Sequence, residues 1–84
     1  MTAMTRAKLL SAVTEQLSTE LALGDRQVTE SDLLRDLPNS DSIHLFRVAA
    51  KLERMTGVEL DDAGLFAVRT VGDMVDLLEN ATTR

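Results

Sequence analysis

The 84-residue chain contains no cysteine, tryptophan or tyrosine, and its only aromatic side chains are Phe46 and Phe66. Without cysteine there is neither a disulfide framework nor thiolate chemistry. With so little aromatic surface the core must be aliphatic, which favours a helical bundle over a β-sandwich rich in Val, Ile, Thr and Tyr. No apolar run is long enough to span a bilayer, and the N-terminus lacks the hydrophobic stretch of a signal peptide, so the expected location is the cytoplasm. Signatures of catalysis are missing too. The one histidine, His44, lies two residues after Ser42. On a helix that spacing turns the two side chains to different sides, which makes His44 a poor general base for the serine. There is no Gly-x-Ser-x-Gly turn, metal-spaced His/Cys set or phosphate-cradling glycine loop. Glu59 with Asp61-Asp62 lacks the alternating ligands and central glycine of a calcium loop, and reads as a solvated acidic helix start. The chain is expected to be neither an enzyme nor a metal protein.

What is present fits one small domain over residues 1–84, close to the size at which a single core only just suffices. A hydrophobic content of 44% argues against disorder. The net charge of −5 disfavours nucleic acid as a partner. Its distribution is uneven. Residues 1–40 carry four basic and six acidic side chains and residues 56–84 carry two and six, whereas residues 41–55 carry three (Arg47, Lys51, Arg54) against two (Asp41, Glu53). A basic island therefore sits on an acidic protein.

Periodicity organises the chain into helices. Leu10, Val13, Leu17 and Leu21 make an apolar stripe in a first helix from about Thr5 to Leu23, with Thr5 as N-cap and Gly24 as a glycine stop. From Gly24 to Asp41 runs a long loop, pinned by Val28, Leu33, Leu34 and Leu37, in which residues 31–34 form a single helical turn. A loop of that length is functional or hides such a turn. The second helix opens at Asp41, a good N-cap, and ends near Thr56-Gly57; Leu45, Val48 and Leu52 form its core stripe. Val58-Glu59-Leu60 is extended, and Asp61-Asp62 caps a brief third helix through Ala63–Phe66. Thr70 and Asp73 make a capping box for the last helix, which presents Val71, Met74, Val75, Leu77 and Leu78 and fades at Asn80. The expected fold is all-α: a small antiparallel bundle of three main helices plus one short helix, with a long loop after the first.

Ser42 is the residue that this layout singles out. It stands between a turn-rich loop and an apolar helix, its hydroxyl exposed above free backbone N–H groups whose dipole favours negative charge. A helix-capping role alone accounts for such a serine. The wider sequence adds to it. Asp41-Ser42-Ile43, the preceding Asp36-Leu37, the run Leu52-Glu53-Arg54-Met55-Thr56-Gly57-Val58-Glu59-Leu60 and the threonine-led Thr70–Val75 together resemble the acyl and peptidyl carrier proteins. The chain departs from them in three ways. Pro38-Asn39-Ser40 replaces a glycine and one further residue, the peptidyl-type Gly-Gly-His/Asp-Ser form is absent, and His44, Arg47, Lys51 and Arg54 make the second helix basic where many relatives are acidic.

The resemblance implies a free-standing carrier, expected as a monomer, with 4′-phosphopantetheine attached to Ser42 and Asp41 in support. A phosphopantetheinyl transferase supplies the arm from coenzyme A, and acyl or aminoacyl groups are then held on it as thioesters. Ile43 and Phe46 are the expected apolar contacts for loading and tailoring enzymes, and Arg47, Lys51 and Arg54 the charged ones, selecting partners with acidic docking surfaces. Seven arginines against two lysines suggest a GC-rich bacterial genome. With the basic second helix, this points to specialised metabolism of the polyketide or nonribosomal peptide type. The competing reading is an unmodified helical adaptor that docks a protein through that helix.

Overall fold

A computed structural model describes residues 5–82; the domain expected over 1–84 extends past these limits at both ends. The described chain folds as α1 (Arg6–Glu20), a 3₁₀ turn (Leu34–Asp36), α2 (Ser42–Thr56), α3 (Asp62–Ala67) and α4 (Val71–Thr82). This is the all-α arrangement of three main helices and one short one. Helix α1 packs against both α2 and α4, while α3 touches α4. The core is aliphatic: Leu9, Val13 and Leu17 of α1 meet Val48 and Leu52 of α2 and Val71, Val75 and Leu78 of α4. Leu9 is the buried member of the first stripe, and Leu10 is only half-buried beside it.

Local chemistry sets most helix ends where the sequence puts them. The Thr5 hydroxyl accepts from the Lys8 amide at 3.2 Å. Gly57, at φ 73°, takes the left-handed conformation that closes α2. The Thr70 hydroxyl accepts from the Asp73 amide at 3.0 Å, and the Asp73 carboxylate accepts in return from the amides of Arg69 and Thr70. Those bonds hold the Asp73 carboxyl below its ordinary pKa. Helix α4 continues two residues beyond Asn80, to Thr82.

Two expectations are corrected. Helix α1 stops at Glu20, and Gly24 is not its stop. Ala22 takes the left-handed conformation at φ 54°, and the Leu23 amide donates back to the Ser18 carbonyl at 3.0 Å. This is the bond pattern of a Schellman turn. Its cause is burial, since the sharp reversal sends Leu21 and Leu23 both into the core. The helical turn of the loop also lies further on, at Leu34–Asp36 instead of residues 31–34. Leu33 is extended and pairs in an antiparallel bridge with Thr70. Around it the amides of Leu34, Val71 and Gly72 donate to the carbonyls of Arg69, Asp32 and Glu30. The loop thus satisfies the first amides of α4, which would otherwise lack partners.

Arg6 completes that end of the molecule. Its guanidinium reaches Glu30 at 2.5 Å, Asp76 at 2.6 Å and Glu79 at 3.1 Å, tying α1, the loop and α4 together. Among the described residues no helix is long and apolar enough to cross a membrane.

Candidate functional site around Ser42

The end of the loop is held firmly before it delivers Ser42. Leu37 is buried, and Asn39, at φ 62°, reverses the chain. Its amide nitrogen donates at 3.0 Å to the Leu21 carbonyl, at the C-terminal end of α1. One residue therefore turns the backbone and fastens the mouth of α2 to α1. In the sequence Pro38-Asn39-Ser40 stands out as a departure without glycine, and its asparagine is the local signal of the turn, because Asn tolerates φ > 0 best after Gly.

Asp41 is the N-cap of α2. Its Oδ1 accepts from the His44 amide at 2.9 Å and lies 2.7 Å from His44 Nδ1. The backbone amide of His44 first, and the imidazole second, hold the Asp41 carboxyl below its ordinary pKa of 3.8. Ser42 follows as the first helical residue and is exposed. Among the described residues its hydroxyl has no hydrogen-bond partner, since His44 is engaged by Asp41. A free hydroxyl over the N-terminal amides of a fifteen-residue helix suits attachment of a phosphate-linked group. Among the described residues no base is hydrogen-bonded to it.

The residues expected to contact partners spread over the outer side of α2. Ile43 is 64% exposed and Phe46 40% exposed. Arg47, Lys51 and Arg54 are exposed as well, and His44 is half-buried with its ring against Asp41. Arg47 lies 3.6 Å from Glu20 of α1. Phe66, which sequence reading placed in the short third helix without a role, is 73% exposed and meets Phe46 edge to face at 5.7 Å. Both aromatic rings of the protein thus stand together on the surface beside Ser42.

Beneath the rings lies a cleft of about 70 Å³, lined by Ser42, Phe46, Phe66, Leu65 and Met74 among others. It shares Leu34, Leu45 and Val68 with a second cavity of about 520 Å³, which Leu33, Arg35, Ser40 and Arg69 complete. Helix α3 roofs the cleft loosely, for none of its residues is fully buried. Gly64 lets it settle on α4, because a Cβ there would come within 2.8 Å of Leu77 Cδ1.

The all-helical fold presents an unpartnered serine at the head of its second long helix. The family model described as "Phosphopantetheine attachment site" matches residues 11–78. The acyl carrier protein of Thermotoga maritima is 36% identical over 74 residues, covering 88% of this chain and 91% of that protein. The acyl carrier protein of Coprothermobacter proteolyticus is 35% identical over 78 residues, 92% of this chain and 94% of its own. That of Saccharopolyspora erythraea is 26% identical over 81 residues, 96% of this chain and 85% of its own. The chain belongs to the phosphopantetheine-attachment family. It is a non-catalytic carrier of the acyl carrier type, whose cofactor is covalently bound 4′-phosphopantetheine.

Proposed function

We propose that Ser42 carries the phosphopantetheine arm and that the chain is a carrier for a specialised pathway of the polyketide or nonribosomal peptide type. The observation that supports the attachment site is the exposed, unpartnered Ser42 hydroxyl at the head of α2. The other serines are less suited. Ser11 and Ser18 lie within α1, Ser31 bonds to Thr29 in the loop, and Ser40 is half-buried ahead of the cap. Asp41 fixes the start of the helix and offers its outer face to the transferase. When bound, the arm contributes a terminal thiol that links the cargo as a thioester. The chain's own contribution is to present the tether and to hold cargo at high local concentration near a docked enzyme.

The docking face is Ile43 and Phe46 with Arg47, Lys51 and Arg54, to which Phe66 adds a second ring. Its positive charge on a protein of net charge −5 supports partners with acidic docking surfaces, which is the basis for the specialised assignment. Incubation with coenzyme A and a phosphopantetheinyl transferase of broad specificity tests the site by intact mass. The parent should gain one phosphopantetheinyl group, and Ser42→Ala none, with helical content kept and at most about 1 kcal/mol lost. Modification that persists in Ser42→Ala would move the site to another serine. An unmodified parent would favour the adaptor reading.

A further inference from the structure

The 520 Å³ cavity beside the attachment site has a chemical character of its own. Its walls are Leu33, Leu34, Leu45 and Val68, and its charged lining consists of two arginines, Arg35 and Arg69, with no carboxylate. Among the described residues neither guanidinium forms an ion pair or a side-chain hydrogen bond, although the Arg69 charge is felt by the Asp73 carboxylate. The two arginines come from segments far apart in sequence. Backbone pairing unites them: the Leu33–Thr70 bridge and the Leu34 amide on the Arg69 carbonyl at 2.9 Å hold loop and α3–α4 link side by side. Both arginines are exposed, so their heads reach the rim over an apolar floor.

Size separates the two cavities by role. A volume of 520 Å³ lies within the range of about 300–1,000 Å³ typical of small-molecule sites. The 70 Å³ cleft at Ser42 falls well below that range. Leu34, Leu45 and Val68 belong to both, so the two spaces adjoin beside Ser42.

Resting on the carrier reading, we propose that this cavity is a subsite for cargo with an aliphatic body and a carboxylate at its far end. The ligand class is an ω-carboxyacyl group long enough for its methylenes to cover Leu45 and Val68 while the carboxylate reaches the arginines. Guanidinium forks bind carboxylates through paired charge-assisted hydrogen bonds. Without them the site would repel an anion, since Asp36 and Asp41 stand on the same loop and the protein is acidic. A plain hydrocarbon chain would leave both arginines unused.

The experiment loads the intact chain, through the transferase, with two amide-linked arms ending in adipoyl or hexanoyl groups, and compares them with the bare arm. The adipoyl carboxyl carries ¹³C and is titrated by NMR, while the Arg35 and Arg69 Nε–H signals are followed in all three forms. On the parent, the carboxyl pKa should fall by about one unit below that of the free adipoyl arm. Arg35→Gln with Arg69→Gln should restore the free value with the mass gain and helical content unchanged. Raising the salt to about 1 M, where screening acts within about 3 Å, should shrink the shift. A carboxyl that titrates on the parent as it does in solution would overturn the proposal. So would equal arginine shifts with hexanoyl, or shifts already complete with the bare arm, which would make its phosphate the anion bound. A chain that gains no mass would overturn the Ser42 reading and this subsite together, whereas full mass gain with a free-solution titration would overturn the subsite alone.

Discussion

Asn39 carries two separable duties, and substitution can weigh each. Its backbone sits at φ 62°, and its side-chain amide donates to the Leu21 carbonyl at 3.0 Å. Asn39→Gly keeps the backbone conformation and removes the bond, a net loss of about 1 kcal/mol. Asn39→Ala removes the bond and also puts in the left-handed region a residue that tolerates it less well than asparagine, adding up to about 1 kcal/mol for a total near 2 kcal/mol. A domain of this size has a urea slope near 1 kcal/mol per M, so the midpoints should fall by about 1 M and 2 M. The same substitutions loosen the mouth of α2, so transferase modification should slow in the order parent, glycine, alanine, measured below saturation with folded protein. Equal midpoints for the two variants would refute the backbone argument. An Asn39→Gly variant as stable as the parent would refute the hydrogen bond, and unchanged modification rates would remove Asn39 from the positioning of Ser42.

Ala22→Gly should raise stability by up to about 1 kcal/mol, because it relieves the left-handed alanine that ends α1; a lower urea midpoint would show that the turn carries no such strain. Charge reversal at Lys51 and Arg54, which lack the ion pair that ties Arg47 to Glu20, should weaken loading by the native partner while costing under about 1 kcal/mol of stability. Loading at the parental rate would reduce the basic stripe to a solvated surface. Acid should destabilise the fold through Asp41 and Asp73, whose carboxyls folding holds below their ordinary value of 3.8. The unfolded chain binds more protons there, so both contributions are whole above pH 3.8 and fade as pH falls through the lower folded values. Asp41→Asn with Asp73→Asn should flatten that acid limb, and an unchanged limb would assign it to other groups.

Local chemistry made much of this fold legible. Thr5, Asp41, Gly57, Asp61 and the Thr70–Asp73 pair announce helix ends through side chains adjacent in sequence, and the structure places ends at each. Gly24 suggests the stop of α1 from local chemistry, whereas the turn that forms at Ala22 is tertiary in origin and buries both Leu21 and Leu23. The 3₁₀ turn was displaced for a similar reason, since pairing of Leu33 with Thr70 is invisible to periodicity. At the site, the Asp41–Ser42 junction was plain from sequence. The meeting of Phe46 with Phe66, and of Arg35 with Arg69, joins residues 20 or more positions apart, and no local pattern encodes it.

The placement of those two phenylalanines bears on how the molecule divides its surfaces. Burying a Phe side chain contributes about 1.5–3 kcal/mol, a large share of the stability available to so small a domain. This core nevertheless consists of leucine, valine, alanine and methionine, and both aromatic residues stand outside it with Ile43. On the opposite side Arg6 binds three carboxylates, and the loop covers the first amides of α4. Arg6 and the loop thus tie α1 to α4 on that side. The Ser42 side keeps apolar surface uncovered under a short helix that has no fully buried residue. Folding gains little from Phe46, Phe66 and Ile43 where they are, whereas a docked enzyme would gain from all three, since aromatic anchors ringed by charge are what interface centres use. On the proposed reading the exposed apolar patch and the basic residues on α2 act as one docking surface, with the Ser42 hydroxyl at its edge.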